Sequence, residues 1–295
     1  MKELIGVFAP SGYESEMREL LTKRLKDKFD EVFTDNMGNL VAKNGDGGLC
    51  IECGMDTAGV MVVSVSENRA KFANVGKLVV KNVLGRNIVF GNGACGKICC
   101  DESVDADEAK TSDLYIELEK GEVKIGDFGA VDAEFTEDNF GYDGYGLSER
   151  VGVAVVCKAL ENIVKPENVT ILFSSQKRLG ARGTRGFFGA NTFEKIITID
   201  AGEEDGCTIV AKDEKMLAEP VLRKELESIA KKSDLDVHTV VTDENFFMEQ
   251  IYVSCGDPCG AIGIGVIREE GEADRVNKAD FDTAVSFIEE ILKRG

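Results

Sequence analysis

A single histidine, His238, stands among the 295 residues, so a metal or acid–base centre built from several imidazoles within one chain is excluded. That histidine falls inside Asp236-Val-His-Thr-Val-Val241, a strand-like run, and reads as a strand residue at the surface or in packing. No apolar run approaches the roughly 18 residues needed to cross a bilayer, which excludes a membrane protein of the helical kind. The first residues, Met1-Lys2-Glu3-Leu4-Ile5-Gly6, contain no basic segment followed by an apolar stretch and a cleavage site, so the chain is expected to stay in the cytoplasm. Basic residues are in deficit: 35 Lys and Arg face 54 Asp and Glu, for a net charge of −19. That balance repels phosphate backbones and leaves no basic stripe, so nucleic acid is not an expected partner.

What is present is an ordinary globular composition, 43% hydrophobic and 30% charged, in a length that suggests one core domain of about 200 residues plus an insertion. Nine cysteines without a secretion signal point to reduced thiols. Their spacing does not make a zinc site. Cys50 and Cys53 lie in the strand-like run 49–53 and point to opposite faces, so most of the cysteines read as small buried apolar residues.

Along the chain, Ser11-Gly-Tyr-Glu14 has capping-box spacing, and Met17, Leu20, Leu21, Leu25 and Phe29 then recur at helical intervals, predicting an amphipathic helix over 14–29. Residues 31–43 form two β-like runs around Met37-Gly38-Asn39, a hairpin, and 48–53 follow as a short buried strand. Between about 60 and 139 the pattern is short strands (60–66, 77–83, 87–90 and 114–118) separated by Gly, Asn and charged residues, with no long helix. This predicts an inserted, mostly β domain over 58–140.

From Tyr145 onward strands and helices alternate: helix 150–163, strand 168–174, helix 184–191, strand 195–199, helix 220–232, strand 236–241, helix 246–255, strand 261–267 and helix 281–293. Runs such as Val169-Thr-Ile-Leu-Phe173 are almost continuously apolar, as in strands covered by helices on both faces. Residues 1–57 and 141–295 are therefore expected to form an α/β domain with a largely parallel sheet. In such a sheet the ligand crevice lies beyond the carboxyl ends of the strands. Those ends read Gly54-Met55-Asp56, Gln176-Lys177-Arg178, Asp200-Ala201-Gly202 and Arg268-Glu269-Glu270, with Ser148-Glu149-Arg150 at the start of the helix after the insertion. The glycines at 180 and 183 are not a phosphate loop, since no Gly-Lys-Ser/Thr follows.

The order and spacing of these motifs resemble the glutamyl-aminopeptidase and cellulase-like di-metal peptidases that assemble as hollow tetrahedral shells. The resemblance spans nearly the whole chain, through Ser11-Gly-Tyr-Glu14, Asp35-Asn-Met-Gly-Asn39, Gly54-Met-Asp-Thr-Ala-Gly59, Ile125-Gly-Asp127, Leu147-Ser-Glu-Arg-Val-Gly152 and Gln176-Lys-Arg-Leu-Gly-Ala-Arg-Gly183 to Asp200. It implies a zinc-peptidase-like fold and an oligomer, a dimer or a higher shell, with the insertion making the dimer contact. It also implies five metal ligands and a glutamate general base. Four ligand positions depart from that pattern: Gly54, Ser148, Arg178 and Arg268. Asp200 matches, and the base position is Lys177, which is protonated at neutral pH and takes no proton from water. Asp56, implied to support the first ligand from behind, has nothing to orient, and Glu149 remains as a supporting carboxylate.

The expectation is therefore a non-catalytic homologue without metal or other cofactor. It would bind a peptide or small molecule, or serve as a structural subunit beside an active paralogue. Charge balance further predicts that Lys177 or Arg178, together with Arg268, fills the metal volume against Asp200, Asp56 or Glu149, leaving a self-neutralised, closed pocket. Two alternatives are a cytosolic metallo-aminopeptidase using Asp56, Glu149, Asp200 and Glu269 or Glu270 as an atypical site, and thiol chemistry at Cys53 or Cys259.

Overall fold

The computed structural model describes residues 1–101, 104–105, 107–268 and 272–294. The chain begins with α1 (Lys2–Ile5) and α2 (Ser15–Leu25), then the hairpin β1 (Glu31–Thr34) and β2 (Leu40–Asn44), and β3 (Leu49–Gly54). In α2, Met17, Leu21 and Leu25 repeat every four residues and are buried, each such side chain contributing about 1.5–3 kcal/mol when removed from water. The capping box predicted at Ser11 and Glu14 does not form at this helix. Glu14 is its N-cap but makes no side-chain cap. Its carboxylate is used elsewhere, accepting from the backbone N–H of Gly12 at 2.7 Å and of Gln176 at 3.0 Å.

After β3 the chain enters a closed six-stranded barrel, ordered β4-β5-β8-β7-β6-β9. Its strands are β4 (Gly59–Ser66), β5 (Arg69–Val75), β6 (Asn87–Phe90), β7 (Cys95–Cys100), β8 (Leu114–Lys120) and β9 (Phe128–Val131). All neighbours pair antiparallel. The interior is filled by residues such as Val60, Val62, Phe72, Ile88, Phe90, Ile98 and Ile116. The strand predicted over 77–83 is absent. A one-turn helix, α3 (Val80–Val83), stands there instead, with Val83 buried and Leu78 and Val80 packed on the barrel core. These apolar residues pack on the barrel core rather than pair along its edge.

Two short strands, β10 (Phe135–Glu137) and β11 (Gly141–Gly144), lead to α4 (Leu147–Glu161). There follow β12 (Val169–Ser174), α5 (Arg182–Phe188), β13 (Lys195–Gly202), β14 (Cys207–Lys212), α6 (Pro220–Lys232), β15 (Val237–Val241), α7 (Met248–Cys255), β16 (Cys259–Gly265), β17 (Asp274–Asn277) and α8 (Lys278–Leu292). The main sheet has eight strands in the order β1-β2-β12-β3-β13-β16-β14-β15, and β10-β11-β17 form a second small sheet. The four central strands, β12, β3, β13 and β16, run parallel, while β2 and β14 flank them antiparallel. Strand β14 has no counterpart in the sequence reading.

Helices cover both faces. On one, α2, α4, α6 and α8 supply Leu21, Val155, Leu226 and Phe287 to a core that also takes Ile51 and Cys53 from β3. On the other, Phe187, Phe188, Met248 and Ile251 pack with Cys50 and Ile196. Cys50 and Cys53 thus enter opposite cores, as the pleat requires. His238 lies on edge strand β15 and is exposed. Among the described residues no helix is long and apolar enough to cross a membrane.

Candidate functional site

The central parallel strands all end at one edge of the sheet, and the site is built there. Strand β3 delivers Gly54 and, just beyond, Asp56. The turn after β12 delivers Lys177 and Arg178, β13 carries Asp200 near its end, and the first turn of α4 contributes Ser148 and Glu149. This turn of α4 is held in place from outside: the Ser148 backbone N–H donates to Asp274 Oδ2 at 2.9 Å.

The turn at 176–178 is fixed by carboxylates. Asp56, wholly buried, accepts from the backbone N–H of Lys177 (Oδ1, 3.0 Å) and of Arg178 (Oδ2, 2.9 Å) and from the Ser11 hydroxyl. Glu14 holds the N–H of Gln176. Asp56 is therefore not idle, as the sequence suggested: it orients the backbone of the two residues that define the site. The fastening is needed because Gln176 (φ 51°) and Ala181 (φ 52°) sit in the left-handed region, at about 1–3 kcal/mol each for a non-glycine residue. Gly183 permits the turn to close. A Cβ there would fall 2.2 Å from Asn39 Oδ1, the atom that accepts the Ser175 N–H at 2.8 Å.

Lys177 turns inward. Its Nζ lies 3.1 Å from Glu52 Oε2 and 3.3 Å from Asp200 Oδ2, and its side chain, like that of Glu52, is fully buried. Glu52 is satisfied on both oxygens. Oε1 accepts from Ser174 Oγ (2.5 Å) and Thr184 Oγ1 (3.2 Å), and Oε2 from Thr198 Oγ1 (2.7 Å). The Phe247 ring lies 5.1 Å from Nζ. Burial by itself would lower the Lys177 pKa, but the charges of Glu52 and Asp200 outweigh it and hold the ammonium above its ordinary value. Lys177 is thus a fixed cation. Asp200 is its complement: burial opposes ionisation, yet Lys177 and Arg178 keep its carboxyl below the usual range.

Arg178 spans two carboxylates, with Nη2 3.5 Å from Asp200 Oδ1 and Nε 3.6 Å from Glu149 Oε1. Both oxygens of Glu149 also accept the Ala58 N–H, at 3.0 and 3.1 Å. Burial raises the Glu149 pKa in spite of Arg178 and this N–H. Behind it, buried Arg150 donates to the carbonyl oxygens of Met55 and Val7, and burial pulls its pKa down to about 10.

The structure thus brings Gly54, Asp56, Ser148, Glu149, Lys177, Arg178 and Asp200 together. Arg268 departs from expectation. Its Nη1 is 3.2 Å from Glu244 Oε1 and 3.9 Å from Glu203 Oε1, and among the described residues it forms no ion pair with Asp200, Asp56 or Glu149. Glu244 is a ready partner because its other oxygen is pinned by the Glu203 N–H at 2.8 Å. The pocket is accordingly not closed. A cavity of about 300 Å³ remains over Arg178 and Asp200, walled by Tyr145, Phe247, Arg268 and Asp274. Glu269 and Glu270 lie outside the described residues. Cys53 and Cys259 are buried, and burial pushes both thiols well above their ordinary pKa, which removes the thiolate that nucleophilic chemistry needs.

Glu52 was missed by sequence reasoning. The available signal was a lone carboxylate in the otherwise apolar run Leu49 to Cys53, which requires a buried cation.

The family profile described as M42 glutamyl aminopeptidase matches residues 38–287. Among solved structures, a TET aminopeptidase from the marine sediment archaeon Thaumarchaeota archaeon SCGC AB-539-E09 superposes with a TM-score of 0.88, covering 100% of this chain and 95% of the other at 20% identity. An aminopeptidase from Desulfurococcus kamchatkensis gives 0.89 over 100% and 93%, also at 20% identity. The Pyrococcus horikoshii TET1 peptidase, which assembles into a tetrahedron or a large octahedral shell, gives 0.87 over 99% and 97% at 22% identity.

Proposed function

Since the chain belongs to the M42 glutamyl aminopeptidase family, we propose that it is a member whose centre is rebuilt around internal cations, binding a peptide or small molecule, or serving as a structural subunit, without metal-dependent hydrolysis. One observation carries this reading. The position that the family resemblance gives to the general base holds the Lys177 ammonium, fully buried and 3.1 and 3.3 Å from Glu52 and Asp200. An ammonium held above its ordinary pKa accepts no proton from water.

The residues do not fit a pair of divalent ions. Gly54 offers no side-chain donor, Ser148 a neutral hydroxyl, and Arg178 a second cation. The remaining carboxylates already have partners: Asp200 faces Lys177 and Arg178, and Asp56 is occupied by two backbone N–H groups and Ser11. An incoming ion would have to displace cations that are covalently part of the fold.

A second reading, an aminopeptidase with an atypical metal site, is favoured by the open cavity, whose lining includes Glu149, Asp200 and Asp274. Metal analysis of protein purified without chelator, run beside turnover of aminoacyl-anilides, separates the two. The first reading expects no stoichiometric zinc, cobalt or manganese and no turnover. Two metal equivalents per chain with measurable turnover would establish the second.

The same family reading extends to assembly. We propose a homo-oligomer, a dimer or a larger shell, in which the insertion over 58–140, with its barrel, makes the contacts, either between copies of this chain or with an active paralogue as the second component. Its acidic net charge of −19 supports neither nucleic acid nor an anionic membrane surface as partner, and the cytoplasm is the proposed compartment.

A further inference from the structure

The cavity over Arg178 contains charged groups that the fold itself leaves unmatched. Its lining includes five carboxylates and three cationic side chains. Glu149, Asp200 and Glu244 are each paired with an arginine. Glu272 and Asp274 have no ion pair among the described residues, and neither does Lys77. Asp274 spends Oδ2 on the Ser148 N–H and keeps Oδ1 for another donor.

Arg178 is only partly used. Its two ion pairs stand at 3.5 and 3.6 Å, against about 2.7–2.9 Å for a charge-assisted hydrogen bond, and its buried Nε has no hydrogen-bond partner. The guanidinium borders the cavity with planar donors suited to a carboxylate.

Charge selects the ligand class. A simple anion at Arg178 would meet the fields of Glu149, Asp200, Asp274 and Glu272. A simple cation at Asp274 and Glu272 would leave Lys77 unmatched and Arg178 only partly used. A molecule carrying both an ammonium and a carboxylate answers both sets, and the volume of about 300 Å³ suits a compact one.

The geometry points to a binding site for a free α-amino acid or a similarly small zwitterion, its carboxylate on Arg178 and its ammonium on Asp274 and Glu272. This rests on reading the site as one that binds rather than hydrolyses. It differs from recognition of a peptide amino terminus alone, because the ligand's own carboxylate is held by a side chain that stands at a former metal-ligand position.

The test is calorimetric titration of the full chain with free amino acids and with two blocked forms of the best binder, the α-amide and the N-acetyl derivative. Both blocked forms are expected to bind at least about tenfold more weakly than the free form, or about 1.4 kcal/mol. Arg178→Gln should abolish the discrimination between acid and amide. Asp274→Asn, which keeps an oxygen for the Ser148 N–H, should abolish that between amine and N-acetyl, with circular dichroism and thermal melts confirming that both variants fold. An amide that binds as well as the free acid overturns the inference, and so does the lack of saturable binding by any amino acid. Turnover of aminoacyl-anilides, scored separately, bears on the hydrolytic question and leaves these binding outcomes independently readable.

Discussion

Lys177 occupies space that any side chain at position 54 would need: a Cβ built on Gly54 would come 2.6 Å from Lys177 Cδ and 3.1 Å from its Cβ. Glycine at 54 and lysine at 177 are therefore one steric solution rather than two independent choices. Because the Lys177 chain is fully buried, it has no free volume into which to retreat. Gly54→Ala is expected to lower stability by about 1–3 kcal/mol, the range for overpacking a filled site. Denaturant titration checks this, and Lys177→Ala in the Gly54→Ala background should show a coupling of about 0.5–3 kcal/mol. Strict additivity of the two changes would contradict the steric account.

Removing the ammonium while keeping the lysine's bulk isolates its electrostatic role. Lys177→Met leaves Glu52 with three hydroxyl donors but no buried cation, and loss of one partner of a buried pair costs about 3–5 kcal/mol. Glu52→Leu together with Lys177→Met should recover most of that loss, since an apolar pair of similar volume replaces the ion pair. Equilibrium unfolding of the single and double variants decides the matter, and a double variant weaker than Lys177→Met would count against the pairing.

Titration follows from the same contacts. Asp200 has a folded pKa below its ordinary value, so the stability it contributes is present above the unfolded carboxyl range and is lost as pH falls through the folded value. Lys177 has a folded pKa above its ordinary value, so its contribution is complete below the unfolded lysine pKa and disappears as pH rises through the folded one. Glu149, raised by burial, works against Asp200: its contribution fades as pH climbs from the ordinary glutamate value toward the folded one. A broad neutral plateau is expected, with Asp200→Asn flattening the acid limb and Lys177→Met the alkaline limb. Urea midpoints measured across pH give the profile, and unchanged limbs in both variants would refute the assignment.

Assembly is tested at the barrel. Val63 and Val65 on β4 are 47% and 38% exposed, two apolar side chains left uncovered at and just after the register shift between Val62 and Ser64. Light scattering at micromolar concentration should give a mass above 32.0 kDa, and Val63→Lys with Val65→Lys should shift the distribution toward the monomer. A clean monomer of the unaltered chain would remove the barrel's proposed role.

Much of the site was legible from strand ends. Asp56, Lys177, Arg178 and Asp200 follow apolar runs, and parallel strands must bring such ends to one edge. Glu52 was hidden because its partner is 125 positions away in sequence, and nothing local shows that β12 and β13 place Ser174 and Thr198 beside it. Arg268 was misplaced for a similar reason: its choice between Asp200 and Glu244 depends on the loop before α7, whose path propensity does not encode. In the fold, β-branched residues at 79–83 read as a strand because packing into the end of a barrel and pairing along a sheet favour the same residue types. Strand β14 was missed because Cys207 to Lys212 is brief and gains its order from lying between β16 and β15.

The interlock of Gly54, Lys177 and Glu52 also constrains how the sequence can drift. A glutamate introduced at 177 alone would be buried against Glu52 and Asp200, and a larger residue introduced at 54 alone would strike the lysine chain. Glu52 exchanged alone for an apolar residue would leave the lysine dependent on Asp200. Each of these three single changes is thus less fit to fold than the arrangement itself, so a path through them to a carboxylate-lined centre crosses a trough or changes several codons together. The three positions should consequently be inherited as a block, and a chain that retains one of them with this fold should retain the other two.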